Sequence, residues 1–282
     1  VAEISDFGVL KMELDLFTFI TRNGADYAEY LKYTCEKNLS GQHKINWKYV
    51  ESLDLKRPPS GYTCVGKSYG DGEHSSMKHA IAIEKALECI ESDYVLFVDC
   101  DVAVLYKGWD NVIINELNKN DCFGGATSES KNEFDISRYK KFPKINFFSF
   151  RSDVLDKVEL NFRPFREGVF KEKIPPKYSK YLNIKNEYDI SYDIGWRLPI
   201  IFKRNNLKYS YMPCYLWESK ESILPHMTDE KIKLKKNKRS EEWHYKGQLF
   251  AAHKKFGRAH DLNGVWGDVW KRRIDSYIKE NK

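Results

Sequence analysis

The sharpest chemical signal in the chain is Asp99-Cys100-Asp101. Two carboxylates, one residue apart, follow the apolar run Tyr94 to Val98 and precede Val102-Ala103-Val104. Like charges this close need a cation or a shared proton. Oxygen donors of this kind suit Mg2+ or Mn2+ beside a diphosphate. The competing reading is a polar strand end with capping aspartates. The six cysteines are widely and irregularly spaced, with no Cys-x-x-Cys. That excludes a zinc ribbon or a thioredoxin-like site and points to reduced, mostly buried thiols.

Paired carboxylates act only if the chain holds them rigidly, and the pattern around them supplies the elements. Leu14 to Ile20 reads as a strand that ends in the polar turn Thr21-Arg22-Asn23-Gly24. Ala25 to Glu36 has helical spacing, Lys44 to Val50 is a strand ending at Glu51, and Tyr62 to Val65 is a short strand. A helix capped by Ser75 or Ser76 runs to about Glu91, with Ala80, Ile83, Leu87 and Ile90 inward. Asp93 to Val98 is apolar on both faces, so it belongs in the middle of a parallel sheet. This alternation predicts a doubly wound, mostly parallel α/β sheet. Ligands of such sheets sit beyond the strands' carboxyl ends. Thr21, Glu51, Asp99 and Asp101 therefore line one crevice.

Later elements are less regular. Trp109 to Lys119 reads as a helix, Cys122 to Ala126 and Asn146 to Phe150 as strands, and Ser152 starts a helix. Asp193 to Asn205 reads as a helix that Pro199 must kink or start later. Tyr209 to Met212 is a strand, and Glu241 to Lys255 looks helical.

Composition narrows the function. The chain has 282 residues, 31% charged and 41% hydrophobic, which makes it globular and large enough for a sizeable core. The densest apolar run is five residues, so no membrane span is expected. The start, VAEISDFGVLKMELD, lacks the basic and apolar pattern of a secretory leader, and a cytoplasmic location is expected. The net charge of +6 divides into −8 for residues 1–130 (13 basic, 21 acidic) and +14 for residues 131–282 (34 basic, 20 acidic). Five of the seven tryptophans lie in the basic part. That asymmetry argues against a nucleic-acid coat and for two faces with different tasks.

The stretch HAIAIEKALECIESDYVLFVDCDVAVL, residues 79–105, resembles the nucleotide-sugar-binding half of GT-A glycosyltransferases. The strand and turn LFTFITRNG resemble that family's start less specifically, and the similarity is looser over 127–255. It implies a single-domain GT-A (Rossmann-like) fold, with a donor half at 1–126 and an acceptor half at 127–282. It implies a divalent metal, Mn2+ or Mg2+, and a UDP-linked donor such as UDP-xylose or a UDP-hexose. The acceptor would be a glycan hydroxyl. A narrower resemblance to small bacterial and large-DNA-virus enzymes points to fucose- or xylose-containing glycans, and for a virus to the host cytoplasm.

The resemblance also implies roles. Asp101 is similar to the metal-binding carboxylate, and Asp99 to the one holding ribose or the metal's water shell. Thr21 and Glu51 stand where the family meets the base, and Lys78 and His79 face the diphosphate. Each of these four is equally readable as an ordinary polar residue. Asp193, in DISYDIGWRL, resembles the carboxylate with which inverting members take the acceptor proton, or it only caps the helix. The family's usual Glu-Asp pair is absent, since Tyr192 precedes Asp193, and that leaves Asp189 and Glu187 as rivals. A third metal ligand is expected from a histidine, His244 or else His226. Lys246 and the basic run 231–239 could neutralise a departing diphosphate, or else they form a solvated loop. Trp196 and Trp217 are candidates for stacking on a sugar, or else core.

Three rivals stand against this reading. A haloacid-dehalogenase-type phosphatase also uses Asp-x-Asp, but usually on its first strand and with Thr or Val where Ala103 stands. A nucleotidyltransferase needs a glycine-rich basic loop that Thr21-Arg22-Asn23-Gly24 does not supply. For a non-catalytic glycan-binding module the paired aspartates are surplus.

Overall fold

The computed structural model describes residues 3–4, 10–20, 24–51, 55–68, 75–127, 141–166, 191–192, 194–217, 219–225, 240–254 and 265–281. The short ribbon of β1 (Glu3–Ile4) and β2 (Leu10–Lys11) precedes β3 (Glu13–Ile20), α1 (Ala25–Lys37), β4 (Lys44–Glu51), β5 (Thr63–Lys67) and α2 (Ser75–Leu87). Then come β6 (Tyr94–Asp99), β7 (Val102–Val104), α3 (Trp109–Leu117), β8 (Cys122–Gly125), β9 (Phe147–Arg151) and the single turn α4 (Val154–Lys157). β10 (Phe165–Arg166) pairs with β11 (Ser191–Tyr192). The chain continues through α5 (Leu198–Arg204), β12 (Tyr209–Met212), β13 (Cys214–Leu216), β14 (Glu241–Tyr245), β15 (Gln248–His253) and α6 (Val265–Glu280).

The α/β class expected from the sequence is the one the chain adopts. Seven strands form a central sheet in the order β12-β8-β9-β6-β3-β4-β5, flanked by helices. Within it only β9 runs antiparallel, against β6 and β8. The remaining neighbours are parallel, so the carboxyl ends of β3, β4, β5, β6, β8 and β12 share one edge.

Period-two alternation sorts each strand's side chains between two cores. Phe17, Phe19, Val95, Phe97, Phe148 and Phe150 pack toward α2 and α5, with Phe162 and Trp196. Leu14, Leu16, Leu96, Val98, Phe123 and Phe147 pack toward α1, α3 and Trp243. Each such fully buried side chain contributes about 1.5–3 kcal/mol. Asp15 breaks the apolar rule, being fully buried in β3. Its carboxylate accepts from the Glu91 amide at 2.7 Å, the Ser92 amide at 3.1 Å and Lys48 at 3.2 Å. Burial raises its pKa, but those donors prevail and hold it below the usual carboxylate range.

A second, antiparallel sheet has the order β13-β14-β15-β7. It joins a strand from the first half of the chain to three from the second. Glu241 to Lys255, expected as a helix, is largely the hairpin β14–β15. Its turn is Lys246-Gly247, with φ of 50° and 78° at the two residues, as a two-residue hairpin turn requires. The ladder to β7 overrides local helical spacing. Three other boundaries move. α2 ends at Leu87 and not near Glu91, α4 is only one turn, and α5 starts at Leu198 with Pro199 in its first turn, the later start that proline required. All six cysteines are free thiols. Among the described residues, no helix is long and apolar enough to cross a membrane.

Two glycines let β8 meet its neighbours. A Cβ on Gly124 would lie 2.1 Å from the Phe147 carbonyl oxygen, and one on Gly125 2.4 Å from the Trp243 ring. Gly125→Ala is therefore expected to destabilise the fold by about 1–3 kcal/mol through overpacking. Urea unfolding followed by tryptophan fluorescence measures this. An unchanged midpoint would mean Trp243 can shift at no cost.

Candidate functional site

The site is built at the carboxyl edge of the central sheet, around Asp99, the last residue of β6. The chain turns through Cys100 and Asp101 and leaves the sheet to become β7. β15 lies antiparallel to β7 with His253 opposite Val102. That pairing carries an imidazole from the far end of the sequence to the two aspartates. His253 Nε2 lies 3.4 Å from Asp101 Oδ1 and 3.8 Å from Asp99 Oδ2. One donor atom from each of the three residues lies within 4.8 Å of the others.

Neighbours hold all three donors. Asn146, just before β9, donates its side-chain amide to Asp99 Oδ2, and its carbonyl accepts the Asp99 amide at 3.1 Å. The Lys254 amide donates to the Asp101 carbonyl at 3.0 Å. His253 Nδ1 is 2.9 Å from Glu241 Oε2, and its ring stacks on Trp243 at 5.7 Å with an 8° interplanar angle. The Trp243 indole N–H donates to the Ala126 carbonyl at 2.9 Å.

Electrostatics follow from this packing. Burial alone would keep His253 neutral, but Asp101 and then Glu241 outweigh it and push its pKa up to about 10. Burial likewise raises the Asp101 carboxyl, and His253, with Lys254 behind it, more than reverses that, leaving it below the usual range. The pocket thus prefers positive charge beside its carboxylates. Two carboxylate oxygens and one imidazole nitrogen are a donor set that Mn2+ accepts well and Mg2+ less well. Two buried polar atoms beside Asp99, His79 Nε2 and Asn146 Oδ1, have no hydrogen-bond partner among the described residues. Such atoms are where a polar ligand would find partners.

The expected site residues divide into those that converge and those that do not. His79 joins the site: its ring packs on Phe19 at 4.9 Å and its Nε2 is 3.6 Å from Asp99 Oδ1. Lys78 lies beside it in α2, half-buried, its carbonyl accepting from Ser68 Oγ at 3.2 Å. Glu51 is buried at the same edge, but Lys67 faces it at 3.4 Å and the Leu55 amide donates to it at 3.0 Å. Thr21, Asp189, Asp193, Glu187, His226 and the run 231–239 lie outside the described residues.

His244, named from the sequence as third ligand, stands outside the Asp99–Asp101–His253 group. Its Nε2 lies 3.4 Å from Glu242 Oε2, and its ring lies 4.6 Å from the Tyr215 ring. The bulge between Trp243 and His244 and the strand's alternation separate it from His253. Lys246 sits in the hairpin turn, at the other end of β15 from His253. Trp196 and Trp217 are buried, the first in the core and the second under Arg273 at 4.1 Å, so neither offers a sugar a stacking face. His253 itself was missed. Its signal is the apolar run Leu249-Phe250-Ala251-Ala252 ending in a donor, the same strand-then-ligand pattern as Asp99.

The sequence matches no protein-family model and no curated protein. The structure is similar to solved glycosyltransferases. PcManGT, a mannosyltransferase from Pyrobaculum calidifontis in complex with GDP-Man and Mn2+, aligns over 54% of this chain and 48% of its own, at 12% identity and TM-score 0.39. The galactosyltransferase LgtC, in complex with donor and acceptor sugar analogs, aligns over 70% and 73%, at 12% identity and TM-score 0.43. TarS from S. aureus, residues 1–349, aligns over 54% and 50%, at 12% identity and TM-score 0.35. The chain thus spans about half the length of PcManGT and of TarS residues 1–349. These overlaps are partial, and what the chain does is carried by its own residues.

Proposed function

We propose that this chain is a metal-dependent glycosyltransferase that moves a sugar from a nucleoside diphosphate sugar, UDP-linked, to a glycan hydroxyl. The observation that carries this reading is the convergence of Asp99, Asp101 and His253 at the carboxyl edge of a mostly parallel sheet. Those three residues would hold the cation. When bound, it supplies positive charge to the diphosphate as it departs. His79 and Asn146 offer polar atoms to the donor beside Asp99.

Transfer forms a bond from the acceptor oxygen to the anomeric carbon and breaks the bond from that carbon to the diphosphate oxygen. The acceptor's proton needs a base. Asp193, with Asp189 as rival, is proposed for that task, and the configuration then inverts. The proposed donor half at 1–126 is completed by His253 from the half assigned to the acceptor.

A thermal-shift panel of nucleotide sugars, with and without Mn2+, tests this. The matching donor with Mn2+ raises the melting temperature, by about 2.7 kcal/mol of added stability at a hundred times Kd. No shift with any nucleotide sugar would refute the proposal. NMR of the product's anomeric centre reads the stereochemistry. A retained configuration removes Asp193 as a simple inverting base.

A further inference from the structure

We infer that Glu241 is the positioning residue that presents His253 to the metal, an assignment resting on the metal-site reading above. Glu241 opens β14 directly across the ladder from His253. It is fully buried. A carboxylate taken out of water is strongly disfavoured unless it is paired. The partners on this one are informative. Its Oε2 is 2.9 Å from His253 Nδ1 and 3.7 Å from Lys144 Nζ.

An imidazole can present either nitrogen, and the hydrogen bond at one decides the state of the other. With Nδ1–H donating to Glu241, Nε2 is the nitrogen left facing Asp101 and Asp99, where a bound cation would take the place of its proton. A carboxylate behind the ring also makes Nε2 a stronger donor. Trp243, two residues along on the same face of β14, stacks on the ring and limits its rotation. One strand therefore sets both the tautomer and the plane of His253. The same tight segment brings Lys144 to Glu241 and Asn146 to Asp99, so both supports share one turn.

Mn2+ titration of the whole chain, followed by loss of the free-ion EPR signal, tests this. Glu241→Ala is expected to weaken Mn2+ binding about 10–100-fold, the usual effect of removing such a partner. Glu241→Gln, nearly isosteric, falls toward the lower end, because its amide oxygen still accepts Nδ1–H while the charge is gone. Pulsed EPR reads the bond itself: nitrogen modulation from a directly bound imidazole is strong in the parent chain and weakened in both variants. Mn2+ binding within twofold of the parent, with full nitrogen modulation, overturns the assignment. If Glu241→Ala does not fold, Glu241→Gln decides alone by the same criterion. His253→Ala separates the two levels. Unchanged Mn2+ binding there refutes the metal site itself, whereas weakened binding there with unaffected Glu241 variants refutes only the role of Glu241.

Discussion

On the proposed function, replacing Asp101 by asparagine is expected to lower sugar transfer from a nucleotide-sugar donor about 10²–10³-fold, the scale of losing one group that stabilises developing charge. The variant is also expected to lack the rise in melting temperature that Mn2+ should give the parent chain. The substitution keeps the side chain's shape, so the turn after β6 and the pairing of β7 survive. What disappears is one of the two carboxylates that face His253 Nε2. Asp101 is only 7% exposed, so water replaces that charge poorly. His253→Ala acts on the same site from the other sheet. It removes the nitrogen donor and leaves Asp99, Asp101 and Glu241 without the imidazole between them. Its melting temperature should fall without metal and recover in part with Mn2+. Rates of donor hydrolysis or transfer, with Mn2+ titrated, measure both variants. A wild-type rate in Asp101→Asn would rule out a cation held by these residues.

The second large effect concerns stability. Arg273→Met is expected to cost about 3–5 kcal/mol, the loss seen when one partner of a buried charge pair is removed. Arg273 lies in α6 and is fully buried. Its Nε donates to the Pro225 carbonyl at 2.7 Å, its Nη2 donates to the Leu224 carbonyl at 3.2 Å, and the guanidinium lies 4.1 Å above Trp217. Glu242 Oε1 is 3.8 Å from Nη2. Ser222 Oγ donates to the same oxygen at 2.6 Å, and the Ile223 amide donates to Oε2 at 2.8 Å. His244 belongs to this group. So Glu241 and Glu242, adjacent in β14, point to opposite faces and do different work. The first faces the proposed metal site, and the second fastens α6 and residues 222–225 to the second sheet. Urea unfolding measures the loss, and a double-mutant cycle with Glu242→Gln should show coupling above about 1 kcal/mol. A cost under about 1 kcal/mol for Arg273→Met would mean that apolar contacts, such as Trp270 against Tyr30 at 5.8 Å, hold α6 without the charge pair.

Much of the first half was legible because local rules and tertiary needs agree there. β3 and β6 announce themselves by apolar faces, α1 by its spacing, and the Asp-x-Asp pair by its place after a strand apolar on both sides. Such a strand has to be central, and its end has to open on the ligand edge. These conclusions need only the periodicity of one segment at a time.

The second half depends on pairings between distant residues, and those carry no local mark. Glu241 to His253 is compatible with helical spacing until β7 supplies a ladder for β15. His244 and His253 differ little as sequence signals. Alternation, a bulge and the antiparallel register with Val102 decide that His253 meets the aspartates while His244 meets Glu242. The sequence alone determined the α/β class, the carboxyl edge of its sheet and two of the three residues of the proposed metal site. The tertiary structure decided that His253 joins them and that Glu241 stands behind it, because a group assembled across about 150 positions of chain is set by strand register, which no single segment contains.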